Sequence, residues 1–517
     1  MRAGYKARLP FTAAAAAILL AGSAAIEAAQ PAALRAAVRS WRQAHERAIV
    51  TDFVTLLSMP NVATNVADVD RNAAWIEQQL RSRGFTTQLL RAAPGTPASV
   101  FAQRQVRGAR RTVIFYAHYD GQPVGQRGWL TPPFEPVMRT ALAGGQTVDW
   151  RAVAPPFDPE WRLFARSAGD DKASIEAMLA ALDALEASHI RPTVNIKLLY
   201  EGEEEQGSTH FAALVAKNLD LLRGDLLIMG DGPMHQSGRQ MVNFGNRGFI
   251  GLTLSVYGAT RPLHDGHYGS WAPSPAVSIA HLIASLRDDD GHILIPHFYD
   301  DVAPVSAADR AALAAMPPVE ADLKRALGLA RNVGPARLAD GYLAPTLNVR
   351  AIHVGDEGLA AANAIATHAD ASLDFRLAPG ETPQHTRELL EQYLTSQGWF
   401  IVRADPDLET RLAHGRIVKV VWDEGGAIAT KTPLELAASR AVVASIGRTV
   451  GYSPIELPIV GASSGMADIV GQLEVPMAGV SIANYDDNQH AENENLRLGN
   501  LWDGIEVYAG LLADLNW

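Results

Sequence analysis

The chain has 517 residues, 48% of them hydrophobic and 20% charged, so it can bury a sizeable core and is long enough for two domains or one domain with a large insertion. It contains no cysteine, which excludes disulfide scaffolds, thiolate zinc sites, iron–sulfur clusters and cysteine nucleophiles, and leaves histidine and carboxylate to hold any metal. Its 45 basic residues against 56 acidic ones give a net charge of −11 with no basic run that could track phosphates, so nucleic acid is not an expected partner.

The first 25 residues read as a secretory signal peptide: Arg2, Lys6 and Arg8 precede an alanine-rich apolar run from Phe11 to Ala25 that ends in small residues. The run is too short and too weakly apolar for a membrane anchor, and no later segment looks transmembrane. The expectation is an exported, periplasmic or secreted product, more acidic after removal of the leader.

From about Pro31 to Arg91 the apolar residues recur at helical spacing. Beyond that, continuous apolar runs predict buried strands at Thr112–Ala117, Val194–Tyr200 and Leu226–Met229, with a helix over Ala173–Leu185 between the first two. This alternation predicts an α/β catalytic domain with a largely parallel sheet flanked by helices. Near Gly248 the pattern changes to strict alternation, as in a strand with one wet face. A helix at Ser274–Leu286, strands at Thr346–Ile352 and Ala371–Leu377, a helix at Pro383–Leu394 and a strand at Phe400–Ala404 follow. That order predicts an inserted ferredoxin-like α+β domain, itself interrupted at about 287–344. The α/β pattern resumes with a helix at Thr432–Val450 and a strand at Val475–Ile482. The domain reading is therefore 26–246 plus 410–517 for the catalytic part and 247–409 for the insertion.

Ligands bind beyond the carboxyl ends of strands in an open parallel sheet, and the residues after the predicted strands are unusually alike. His118 and Asp120 follow the first; Asp170 and Asp171 stand just before the Ala173 helix; Glu201 to Glu205 follow the second strand and Asp231 the third; Asp486, Asp487 and His490 lie after the last. Several carboxylates in one crevice repel one another unless cations compensate, so these clusters point to a metal site. Two histidines with several carboxylates and no sulfur suit a pair of divalent ions, zinc above manganese or cobalt, and hydrolysis of an amide or related bond.

The same segments carry a family resemblance. HYDGQPV at 118–124, ARSAGDDKA at 165–173, EGEEEQGS at 201–208, GDG at 230–232, LHDGHYG at 263–269, GHILIPHFYDDV at 291–302 and QHAENENL at 489–496 resemble the dinuclear metallopeptidases that include cytosolic nonspecific dipeptidase, carnosinase, aminoacylase and glutamate carboxypeptidase, most closely the dipeptidase and carnosinase branch. The resemblance implies that His118, Asp170, Glu205, Asp231 and His490 bind two metals with Asp170 bridging, that Asp120 orients His118, and that Glu204 is the general base acting on a metal-bridging water. Glu203 is the competing choice if the register slips by one. The resemblance further implies a lid and dimerisation domain, a homodimer that brings His264 into a neighbouring site to stabilise the oxyanion, and Arg376 as receptor of the substrate carboxylate, with Asn348, Gly461 and Ser463 nearby. Gly461 to Gly465 departs from the family loop that holds the substrate backbone, which leaves open whether the substrate is a small peptide or an N-acyl amino acid.

Two other readings compete. Gly461-Ala462-Ser463-Ser464-Gly465 matches the nucleophile elbow of a serine hydrolase, with Ser463 as nucleophile and the acids and His490 downstream. An inactive binding protein on the same fold is the other, and the complete set of candidate ligands speaks against it. His267, His210, His292 and His368 are read as structural or surface residues.

Overall fold

A computed structural model describes residues 31–125, 128–355, 362–463 and 466–517. The predicted leader at 1–25, and Ser464 and Gly465 of the serine motif, lie outside the described residues. No helix among the described residues is long and apolar enough to cross a membrane.

The larger layer is an eight-stranded sheet whose order is Thr86–Leu90, Ser99–Arg104, Asn195–Glu201, Thr112–His118, Leu226–Met229, Met477–Gly479, Met241–Asn243 and Ile455–Leu457. Asn195–Glu201, Thr112–His118, Leu226–Met229 and Met477–Gly479 run parallel; Ser99–Arg104 pairs antiparallel with Asn195–Glu201, and Thr86–Leu90 antiparallel with Ser99–Arg104. Continuous burial of the Thr112 and Asn195 strands explains their unbroken apolar sequences, since helices cover both faces. One face packs against Pro31–Leu57, Lys172–Ala187, Ala437–Val450 and Leu498–Asp514, which share a single core with the sheet. The N-terminal helix is also tied by charge: Arg35 and Arg39 converge on Glu506, which is 3% exposed.

The second layer is a five-stranded sheet in the order Thr346–His353, His368–Leu377, Gly248–Tyr257, Ile417–Trp422 and Phe400–Val402. The helices Pro275–Leu286 and Pro383–Ser396 pack on it, with Leu252, Leu254, Leu373, Phe375 and Leu390 in a core of its own. This is the inserted α+β unit.

Several elements differ from the sequence reading. The stretch ending at Arg91 is not helical throughout: Gly84 turns the chain at φ +78°, and Thr86–Leu90 becomes an edge strand with mostly exposed side chains. In the second sheet Ile417–Trp422, not Phe400–Ala404, lies beside the central Gly248 strand, so that sheet continues past residue 409; Phe400–Val402 is its parallel outer strand. The helix read at Thr432–Val450 starts at Ala437, because Thr432 is tied to the sheet instead: its N–H donates to Phe244 O at 2.7 Å and its Oγ1 accepts Met477 N–H at 2.8 Å. Met477–Gly479 is shorter than its apolar run. A small sheet of Val137–Arg139, Arg162–Phe164 and Asn495–Arg497 was not foreseen; it ties the loop before Asp170 to the segment after His490.

Candidate metal centre

The Thr112 strand ends on His118, whose ring is fully buried. Its Nε2 lies 2.7 Å from Asp170 Oδ1 and 4.0 Å from Asp231 Oδ1. The other carboxylate oxygen of Asp170, Oδ2, lies 3.1 Å from His490 Nε2, and that nitrogen is 3.3 Å from Glu205 Oε2. One carboxylate thus faces two half-sites, each with a histidine and a further acid. His118, Asp170 and Glu205 offer ligand atoms within 4.8 Å of one another.

The backbone fixes this arrangement. His118 Nδ1 faces Asp120 Oδ1 at 3.4 Å, while the two oxygens of Asp120 accept the backbone N–H groups of Glu204 at 3.1 Å and Glu205 at 3.0 Å. Asp120 therefore couples the end of one strand to the 3₁₀ turn Glu204–Gln206 after the next. Glu203 is turned away: its carboxylate accepts the His210 backbone N–H at 2.7 Å and meets His210 Nδ1 at 2.8 Å. Glu204 makes no hydrogen bond through its side chain among the described residues, and its carboxyl is surrounded by the charges of His118, Asp231 and Asp170.

Asp170 follows a loop clamped by Glu494. Glu494 Oε1 accepts the N–H groups of Gly169 and Asp170, both at 3.0 Å, and Oε2 accepts Ser167 N–H and Arg166 Nη1, both at 2.9 Å. Gln489 Nε2 donates to Asp170 Oδ2 at 2.6 Å and Gln122 Nε2 to Glu205 Oε2 at 2.7 Å. Asn61 Nδ2 donates to Tyr119 O and Ser167 Oγ, which joins the His118 loop to the Asp170 loop. Sequence reasoning missed Glu494, Gln489, Gln122 and Asn61; the signal for the first three was their position inside the QHAENENL and HYDGQPV segments, and Asn61 had none.

Electrostatics record the crowding of acids. Burial, then the charge of Asp170, pushes Glu205 up to about 8 and Asp231 up to about 6. Burial likewise holds Glu204 well above the usual carboxylate range. The hydrogen bond to Asp170 is the main influence raising His490 to about 9. Asp170 is the exception: burial opposes its ionisation, but His118, His490 and Gln489 together hold it below the usual range. Carboxylates this protonation-prone and this close are what a divalent cation relieves. The donor set, histidine and carboxylate without sulfur, fits such cations.

The other predicted residues gather elsewhere. Arg376 donates from Nε to Asp374 at 2.8 Å and from Nη1 to Ser463 Oγ at 2.9 Å, which brings the inserted domain onto the Gly461 loop. Asn348 Nδ2 donates to Thr346 Oγ1 at 3.3 Å and contacts Asp374 Oδ2 at 3.5 Å. Gly461 lies against Tyr342, where an added Cβ would come within 2.8 Å of the ring. His264 is exposed; its Nδ1 accepts Gly266 N–H and its ring lies 4.5 Å from that of His267, with no hydrogen bond or ion pair to the cluster among the described residues. Asp486 is taken by Arg162 at 2.7 Å and Asp487 accepts Gln489 N–H, so neither joins the cluster as the strand-end reading implied. The serine-hydrolase alternative loses its geometry. Ser463 Oγ is spent on Arg376 and on Gly248 O, and His490 faces Asp170 and Glu205 instead.

A buried histidine and carboxylate cluster at the carboxyl rim of a parallel sheet, beside an inserted lid, defines a metal-dependent hydrolase. The chain belongs to peptidase family M20/M25/M40, whose model matches residues 114–514. It is 23% identical over 430 residues to the Cys-Gly metallodipeptidase dug1 of Schizosaccharomyces pombe, covering 81% of this chain and 83% of that one. It is 24% identical over 434 residues to the Beta-Ala-His dipeptidase of Rattus norvegicus, covering 81% and 80%. Among solved structures, an M20 family metallo-carboxypeptidase, Sso-CP2 from Sulfolobus solfataricus, superposes with a TM-score of 0.74 at 25% identity over 90% of this chain and 99% of that one. The chain is a metallopeptidase-family hydrolase of the dipeptidase or carboxypeptidase type.

Proposed function

We propose that the protein is an exported dinuclear metallopeptidase that cleaves the amide bond of small peptides bearing a free carboxylate. The observation that carries this reading is Asp170, whose two oxygens face separate histidines, each with its own second acid. Such a pattern fits two cations sharing one carboxylate. His118 and Asp231 would hold one and His490 and Glu205 the other; zinc suits the donors best, with manganese or cobalt also compatible. Bound divalent cations polarise the scissile carbonyl and acidify a water at neutral pH.

The residues of the chain do the rest. Asp120 keeps the His118 ring and the Glu204 turn in register. Glu204, ionised once cations offset the surrounding acids, takes a proton from the attacking water and delivers it to the departing amine. Arg376, held planar between Asp374 and Ser463, offers its remaining donors to the substrate carboxylate. His264 completes the oxyanion site of a second copy in a homodimer formed through the inserted domain; its exposure and lack of contact with its own cluster support a role in trans. Export rests on the leader-like residues 1–25, and recovery of a mature N-terminus near residue 26 from the periplasm or medium tests it.

The decisive experiment is a panel of dipeptides, their C-terminal amides, N-acyl amino acids and longer peptides on metal-reconstituted protein. Dipeptides with a free carboxylate are expected to lead, with amides slower by at least about tenfold. Inhibition by a serine-reactive phosphonate without inhibition by a chelator would overturn the reading.

A further inference from the structure

A second cation stands behind the Gly461 loop. Arg247 is only 6% exposed, and its backbone N–H donates to Ala462 O at 3.0 Å, which ties it to that loop. Its Nη2 donates to Ala344 O at 2.5 Å and Thr346 Oγ1 at 3.2 Å, whereas its Nε has no partner and its Nη1 makes no hydrogen bond among the described residues. The carboxylates whose fields reach it are Glu381 and Asp374, and neither pairs with it: Glu381 accepts Ala378 N–H, and Asp374 is bound to Arg376. Arg376 is thus neutralised by a protein carboxylate, and Arg247 is not. A buried guanidinium without a counter-charge is destabilising unless an anion reaches it.

An anion can reach it. Arg247 lines a cavity of about 420 Å³ that opens beside Pro233, two residues from Asp231, and runs along Gly461 and Ala462 between apolar walls formed by Met241, Met316 and Tyr342. That volume is in the range of small-ligand clefts, about 300–1,000 Å³. Arg376 does not line it. The other charged groups there are Arg337 and Glu320, whose carboxylate accepts the backbone N–H groups of Val319 and Leu338, while burial holds the His235 imidazole below its ordinary range and so favours its neutral form. The cavity is therefore an apolar sleeve with an excess of positive charge and an unsatisfied planar donor.

We infer that Arg247 is a specificity-determining residue that receives the side-chain carboxylate of an acidic C-terminal residue in the substrate. The inference rests on the peptidase reading above for the direction of the peptide: Arg376, assigned there to the free carboxylate, is held by Ser463 of the Gly461 loop, and Gly461 and Ala462 of that loop form a wall of this cavity. Arg376 takes the terminal carboxylate on one side of the loop, and the side chain passes along Met241 and Tyr342 to Arg247 on the other. Glutamate, with two methylenes to lay on the apolar walls, fits better than aspartate.

The test compares Ala-Glu with Ala-Gln on metal-loaded protein. The wild type is expected to favour Ala-Glu by at least about tenfold in kcat/KM, and Arg247→Gln to collapse that ratio to about one, a loss of at least about tenfold in discrimination for a charge-assisted contact. Arg247→Lys is expected to retain part of the preference, which separates lost charge from lost fold. Equal rates for the two peptides in the wild type, or an equal fall for both in Arg247→Gln, would overturn the assignment. Calorimetry of glutarate against butyrate supplies a readout free of turnover: glutarate is expected to bind more tightly to the wild type, and Arg247→Gln to abolish that difference. If no peptide is hydrolysed, the peptidase reading fails while the glutarate comparison still decides the role of Arg247.

Discussion

Glu494 offers the sharpest test of how the centre is held. Its carboxylate is 1% exposed and accepts four donors, the N–H groups of Ser167, Gly169 and Asp170 and the guanidinium of Arg166. Replacement by glutamine keeps the shape but turns an amide NH₂ toward one donor pair. The better orientation leaves Oε1 on Gly169 and Asp170 and sets the NH₂ against Arg166 and Ser167. Two hydrogen bonds are then lost, and Arg166, 2% exposed and stacked over Trp129 at 5.0 Å, is left without a counter-charge. Charge-assisted bonds contribute about 1.5–3 kcal/mol each, and breaking a buried ion pair costs about 3–5 kcal/mol, so Glu494→Gln should destabilise the metal-free protein by about 3–5 kcal/mol. The loop that carries Asp170 should loosen with it, and metal affinity should fall by about 10–100-fold. Thermal unfolding in the presence of chelator reads the first effect, and competition with a chromophoric chelator reads the second. Wild-type melting together with wild-type metal affinity in Glu494→Gln would refute the claim that this carboxylate sets the Asp170 loop.

Three further outcomes follow from the geometry. Glu204→Gln should keep its metal content and lose turnover by about 10²–10⁴-fold, measured as kcat beside elemental analysis; near-normal kcat would remove Glu204 from the proton path. His264→Ala should be nearly inactive, yet mixing it with Glu204→Gln should restore activity in heterodimers; failure to rescue would argue against a site shared between copies. Glu381, 5% exposed, is pushed up to about 7 chiefly by burial, so its folded value exceeds its unfolded one and ionisation weakens the fold. Below about pH 4 both states are protonated and nothing is lost; as pH rises from about 4.5 to 7 the unfolded state ionises first, and above about 7 the penalty is complete. Glu381→Gln should therefore leave stability unchanged at about pH 4 and raise it by about 2–3 kcal/mol at pH 8, as read by denaturant midpoints.

Much of the sheet was legible because its central strands are buried on both faces and so must be apolar throughout. Thr112–His118 and Leu226–Met229 are of that kind. Thr86–Leu90 was hidden for the opposite reason: an edge strand with exposed side chains shows neither an apolar run nor a clean alternation. Ile417–Trp422 was missed although it lies beside the central strand, because pairing with Gly248–Tyr257 is a long-range choice that local pattern does not encode. The candidate site divides in the same way. Side chains that carry charge to a strand end, such as His118, Asp231 and Glu205, stand out by type and position. Those that act by closing backbone hydrogen bonds, such as Glu494 and Asn61, look like any polar residue until the loops they join are seen to meet.

The choice between Glu203 and Glu204 illustrates where residue type ends and backbone begins. Three consecutive glutamates are chemically equal, and sequence spacing alone leaves their register open. Asp120 breaks the equality: by accepting both the Glu204 and Glu205 N–H groups it holds the turn so that these two side chains project toward Asp170 and Asp231, while Glu203, one residue earlier, points back to His210. The same carboxylate faces His118 Nδ1, so the imidazole and the glutamates are oriented by one group rather than by two independent contacts. An amide at residue 120 would keep one acceptor and present a donor to one of the two N–H groups. Loss of the turn and loss of the His118 orientation are therefore coupled, and a substitution there cannot remove one without the other.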